Sequence, residues 1–174
     1  ITKVDAKSGT AFTGNGDKHK AAVTNIIPAQ VAGKIAHTAG LTNDSGWCPV
    51  DHKTFESTIH KDIHVIGDAA IQSPLPKSGY AANSEAKATA AAIVALLNGQ
   101  EPGTPSWVNT CYSIVAPNDG ISVAMVYNYV DGKVAKVKGS GGLTKMDSSP
   151  EDRAREVQYA YSWYANITAD AFGV

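Results

Sequence analysis

The stretch HVIGDAAIQSPLPKSGYAANSEAKATAAAIVALL, residues 64–97, decides how this chain folds. The apolar run 63–66 reads as a short buried strand ending at Gly67. A Pro-rich loop follows, and residues 83–97 then read as a helix filled with Ala and Leu, both strong helix formers. Asn98 and Gly99 terminate it, and Pro102 and Pro105 prevent a restart. Strand, loop and helix in this order predict an α/β unit. Passing from strand to helix needs little more than one Gly and a capping Ser or Asp. Here Gly67, Asp68, Lys77, Ser78, Gly79 and Tyr80 all crowd the junction.

In open α/β sheets ligands bind beyond the carboxyl ends of the strands, where Asp68 is expected to stand. Gly67 would let a ligand approach the backbone. A helix entered through residues 77–80 offers unpaired N–H groups and the positive end of its dipole, which suits an anionic or electron-rich ring. A carboxylate for a polyol and a helix start for a negative locus together describe the surroundings of a flavin's ribityl chain and its N1–C2=O edge. An ordinary structural turn reads the same way, so these residues alone leave both readings open.

Composition narrows the classes. At 174 residues and 43% apolar content the chain can bury an ordinary core in one domain or two small ones. Charged residues make up 18%, below the roughly 25% of typical domains, and the net charge of −1 implies no basic face for nucleic acid. The most apolar segment, 88–97, is shorter than the about 18–20 residues of a membrane span. The chain begins at Ile1 with no signal-peptide pattern, as a mature terminus or the interior of something longer would.

Towards the N-terminus, residues 1–5, 9–13 and 21–27 read as strands separated by turn-rich segments, and 29–41 as a short Ala-rich helix closed by Gly40. Residues 55–59 and 63–66 bracket His60-Lys61-Asp62 as a hairpin or two consecutive strands would. Beyond the central helix, 111–137 alternates and is β-branched around the turns PNDG and DG, which predicts a three-stranded antiparallel meander. Ser149, Pro150, Glu151 and Asp152 then open a last helix running to about Ala169, with Ser as N-cap and acids near the positive dipole end.

Cys48 and Cys111 lie 63 positions apart, which is neither a CxxC motif nor a disulfide framework. They could pair with each other, be buried thiols or find partners elsewhere. His60 and His64 would converge on a helix, but their segment reads as strand, where they stand about 13 Å apart, so a metal site is not expected.

Several stretches, GWCPVD, IHVIGDA, PKSGY, EPGTPSWVNTCYSI and EVQYAYSWY, are long enough to carry a resemblance. The run HVIGDAA with PKSGYAANSEAKATAAAIVALL resembles the second flavin-binding segment of the glutathione-reductase-like flavoproteins with two dinucleotide domains. Within that group the chain is similar, over almost its whole length, to the FAD subunit of flavocytochrome c sulfide dehydrogenase. That family carries a GxGxxG turn near its N-terminus, whereas Gly14-Asn15-Gly16-Asp17 here is a polar turn with no apolar strand before it. The resemblance therefore implies an incomplete two-dinucleotide-domain fold of α/β class with an α+β C-terminal part. Residues 1–35 would end the NAD-like domain, 36–100 would form the returning half of the FAD-binding domain, and 101–174 the interface domain with its meander and terminal helix. The absent N-terminal half would hold the adenosine and pyrophosphate.

By resemblance the cofactor is FAD, the substrate sulfide, the partner a c-type cytochrome carrying haem c, and the location the bacterial periplasm. Gly67, Asp68, Lys77, Ser78, Gly79 and Tyr80 would bind the flavin, with Lys77 stabilising its reduced, anionic form. Cys111 would be one half of a redox-active disulfide whose other cysteine lies in the absent part. Sulfide attacks that disulfide, and the freed thiolate passes two electrons to the flavin. Thr110 and Trp163 would lie on the electron path, although an aromatic stripe at helical spacing also reads as core packing. Cys48 reads as structural. Rival readings are a sulfide:quinone oxidoreductase, an NADH dehydrogenase-like flavoprotein, or a non-catalytic interface module; the terminal helix lacks the basic amphipathic face of a membrane anchor.

Overall fold

Three short strands, β1 (Lys3–Asp5), β2 (Thr10–Phe12) and β3 (Lys18–Lys20), form an antiparallel sheet in sequence order. The third strand replaces the one expected at 21–27. A turn held by Thr13 N–H on Asp17 O (3.0 Å) and by Gly16 at φ 93° brings Lys18–Lys20 directly back along β2. The short connection fixes the pairing, so the exposed Lys18–Lys20 edge wins over the more β-prone 21–27. The computed structural model describes residues 1–173 and divides into two units, Ile1–Gln30 and Val31–Val174.

The second unit begins with α1 (Lys34–Thr38), shorter than the helix expected over 29–41. Gly33 sits extended at its N-cap, and Gly40, at φ 68°, closes it. Strands β4 (Cys48–Pro49) and β5 (Ala70–Ile71) pair in parallel, Cys48 opposite Ala70 and Pro49 opposite Ile71. The expected strands at 55–59 and 63–66 are absent. Phe55, at φ 59°, reverses the chain, and only the isolated bridges Val50–Ser57 and Glu56–His64 form. Ile63 and Ile66 are exposed, and strand structure begins instead at Ala70, after a 3-10 turn over Gly67–Ala69. Asp68 therefore lies in a turn that precedes a strand, not at a strand's carboxyl end, which corrects the sequence reading.

Helix α2 (Gly79–Leu97) starts four residues before the expected position, at the Ser78 cap. The meander comprises β6 (Ser106–Ala116), β7 (Asp119–Val130) and β8 (Lys133–Lys136), with a fourth strand, β9 (Gly142–Leu143), on β7. Helix α3 (Pro150–Phe172) is capped by Ser149 Oγ accepting from Asp152 N–H and ends at Gly173 in the left-handed region. Alternation along β6 places Trp107, Asn109 and Cys111 on one sheet face and Val108, Thr110 and Tyr112 on the other. Trp107 joins Val50, Phe55, Ala70, Leu75, Ala81, Tyr127 and Val134 in the main core, its ring edge-on to Phe55. A second cluster gathers Ala32, Ala36, Leu41 and Cys48, so Cys48 is a buried core thiol.

Candidate functional site at the start of helix α2

The loop after β5 delivers Lys77 and Ser78 to the mouth of α2. Ser78 caps the helix, its Oγ accepting from Ala81 N–H at 3.1 Å. The Gly79 and Tyr80 amides belong to the first turn, where N–H groups have no partner within a helix. Lys77 Nζ donates to Asp68 O and, at 3.0 Å, to Ala70 O, and stands 3.8 Å from the centre of the Trp47 ring. Partial desolvation holds this ammonium below its ordinary value. A cation is thus pinned beside the positive end of a helix, and it fastens the Gly67–Ala69 turn to the loop. The Asp68 side chain is exposed and points no oxygen at a neighbour among the described residues.

The Ser78 hydroxyl donates to Asn109 Oδ1 at 2.5 Å, and Asn109 Nδ2 donates to Cys111 Sγ at 3.3 Å. The structure therefore brings Cys111, from β6, into hydrogen-bond connection with the start of α2, residues 31 and more positions apart in sequence. Cys111 is partly exposed and, like Cys48, a free thiol; the two are not joined.

Gly67 opens the 3-10 turn at the foot of α2. It sits at φ 69°, and a Cβ placed on it would meet Ala82 Cβ at 3.2 Å. Its amide donates inward to Glu85 Oε2 at 2.6 Å. This glycine permits a left-handed turn and a close approach of α2. Glu85 itself is fully buried with Oε1 unpaired among the described residues. Burial pushes its carboxyl up to about 7, against the opposing pull of the Gly67 hydrogen bond. Sequence reasoning missed Glu85. Its signal was a lone carboxylate four residues after Ala81 and four before Thr89, on the face that α2 buries.

Tyr80 stacks on Trp163 with centroids 5.7 Å apart and planes 10° apart, and the Tyr112 ring lies 6.2 Å from Trp163, tilted by 38°. These rings tie α2, β6 and α3 together. Thr110 shares the Tyr112 face of the sheet, so β6 separates Thr110 and Trp163 from Cys111, although Tyr80 reaches both the helix start and Trp163.

A hollow of about 270 Å³ beside Lys77 is lined by Trp47, Ala70, Ile71, Gln72, Ser73 and Leu75. Gln72 is 2% exposed, yet neither its Oε1 nor its Nε2 has a partner among the described residues. An unpaired buried amide is costly, which marks a position made to be satisfied by something further. An amide offering both a donor and an acceptor, a fixed cation and a helix start suit a planar ring with alternating acceptors and donors and a developing negative charge. The residues present thus fit a flavin, with Gln72, Lys77 and the Gly79 and Tyr80 amides as its holders. Among the described residues no group of three His, Cys, Asp or Glu side chains gathers as a metal site. His52 instead bridges Ile71 O (2.9 Å) and Val134 N (3.2 Å), tying β5 to β8.

A mixed α and β fold carries a site whose residues fit a flavin. Consistent with this, residues 103–172 match the family model described as flavocytochrome c sulphide dehydrogenase, flavin-binding. The matched part holds β6–β9 and α3, and with them Asn109, Cys111 and Trp163. Among solved structures the chain resembles one chain of the Tetrahymena thermophila mitochondrial ATP synthase F1Fo composite tetramer, with TM-score 0.54 and 19% identity. That likeness covers 89% of this chain and 39% of the other, and at this identity it is one of fold. No helix among the described residues is long and apolar enough to cross a membrane.

Proposed function

We propose that this chain is part of the FAD subunit of a sulfide dehydrogenase that oxidises sulfide and passes electrons to a c-type cytochrome subunit. The observation that carries the reading is the hydrogen-bonded line from the α2 cap through Asn109 to Cys111, the last two inside a segment matching a flavin-binding family. In this reading residues 1–35 end an NAD-like domain, 36–100 belong to the FAD-binding domain and 101–174 form the interface domain, within a two-dinucleotide-domain fold. The N-terminal half of that fold lies outside these residues. The protein works in the periplasm, and its partner carries haem c.

Cys111 is one sulfur of a redox disulfide whose other cysteine comes from outside this chain. Hydrosulfide forms a bond to the partner sulfur, giving a persulfide there. The old S–S bond breaks, leaving its electron pair on Cys111 as thiolate. A bound flavin supplies an acceptor for such a pair and releases electrons singly. Lys77 and the Gly79 and Tyr80 amides offer positive charge where the ring gains negative charge. Asp68, with a free exposed carboxylate, accepts from the ribityl hydroxyls. Thr110 and Trp163 lie toward the cytochrome side of the interface domain, where the Tyr80–Trp163 stack offers a conjugated route from the helix start.

The test is the full-length protein that contains this chain. Purified, it should carry FAD and reduce a c-type cytochrome when sulfide is added. A colourless, folded protein with no sulfide-dependent reduction would leave only an interface role.

A further inference from the structure

Asn109 is 4% exposed, and it is the residue through which the helix cap reaches the sulfur. An amide can present either its oxygen or its nitrogen to a neighbour, and which end faces Cys111 depends on the hydrogen bonds around it. The hydrogen bonds around it give the orientation found here. Ser78 Oγ accepts from Ala81 N–H, as an N-cap does, and donates its own hydrogen. The acceptor it meets, at 2.5 Å, is Asn109 Oδ1. Nδ2 then faces Cys111 Sγ at 3.3 Å, and the thiol, while it holds its hydrogen, donates back to Asn109 Oδ1 at 3.9 Å. Once that hydrogen is lost, donation runs from Ala81 to Ser78 to Asn109 and on to the sulfur. An N–H facing a sulfur stabilises negative charge that develops there, which the proposed exchange places on Cys111.

We propose that Asn109 is a positioning residue for Cys111, held by the Ser78 hydroxyl so that its amide N–H always faces the sulfur. This rests on the reading of Cys111 as a redox cysteine. Asn109 shares its sheet face with the core residues Trp107 and Tyr127 and is itself buried, so the core restricts its movement while Ser78 holds its amide oxygen.

The test is the rate at which iodoacetamide labels Cys111 in the reduced full-length protein, located by peptide mass, at neutral pH. Cys48 is fully buried and serves as the unreactive reference. Asn109→Leu keeps the volume and removes the donor. It should slow labelling by about tenfold, because the donor that supports charge on the attacking sulfur is gone. Ser78→Gly keeps a tolerated N-cap but loses the hydroxyl that fixes the amide, and should slow neutral labelling in the same direction; Ser78→Thr restores the hydroxyl and should restore the rate. Neutral labelling at the wild-type rate in Asn109→Leu overturns the proposal. Should that variant not fold, equal rates in Ser78→Gly and Ser78→Thr overturn it. Labelling needs neither sulfide nor cytochrome, so failure of the sulfide reading, seen as turnover that survives loss of Cys111, is a separate result.

Discussion

At the residue scale the decisive groups are polar side chains placed among apolar ones. Glu85 is the clearest. Its carboxyl is neutral in the fold up to about pH 7, against an ordinary value of 4.5. A raised folded value means that its contribution is fully present below about pH 4.5 and is lost as pH rises through about 7, when the fold must accept a buried charge. The shift corresponds to about 3 kcal/mol of stability lost across that window. Glu85→Gln keeps an oxygen to accept from Gly67 N–H and cannot ionise. Urea denaturation at pH 5 and pH 8 should show the wild type weakening with pH and the Gln variant holding, with the variant the more stable at pH 8. Equal pH dependence in the two would show that Glu85 is ionised in the fold. The sequence offered Lys77, Ser78 and Cys111 openly, because cations, caps and thiols stand out. It hid Glu85, Asn109 and Gln72, whose roles come from burial, and burial is fixed by neighbours distant in the chain.

At the element scale, elements set by local chemistry were legible and those set by pairing were not. The Ser149 cap, the Gly40 stop, the Ala and Leu filling of α2 and the β-branched alternation of the meander all act within a few residues, and α3, the body of α2 and strands β6–β8 follow them, while the start of α2 directly after Ser78 did not show. Expected strands at 21–27, 55–59 and 63–66 failed because their apolar residues had no ladder to join. Lys18–Lys20 took the edge of β2 first, and positive φ at Phe55 and Gly67 turned the chain out of extended geometry. The packing of α3 on β7 is close at one point. A Cβ on Gly120 would stand 2.9 Å from Val157 N, a backbone atom that cannot yield. Gly120→Val should therefore lift α3 from the sheet and cost about 1–3 kcal/mol, read as a lowered urea midpoint, whereas Gly103→Ser, in open space and without positive φ, should cost less. Equal midpoints for the Gly120 variant and the wild type would mean that α3 is not seated there.

At the scale of the whole molecule, a two-stranded parallel pair such as β4–β5 is marginal alone, and parallel strands are ordinarily covered on both faces. Here Phe55, Leu75 and Trp107 cover one side from the main core. Fold class and the course from strand to helix to meander were legible in the sequence because each depends on summed local signals. The convergence of Ser78, Asn109 and Cys111 was not, since it requires β6 to pack against α2, and no local pattern announces that contact.

The central claim is that the sulfur of Cys111 carries electrons from sulfide to a flavin held at the start of α2. The most direct measurement mixes sulfide anaerobically with the full-length Cys111→Ser protein and follows the flavin absorbance. The account predicts bound flavin that stays oxidised, while the wild type bleaches. Bleaching of the variant at the wild-type rate would contradict it.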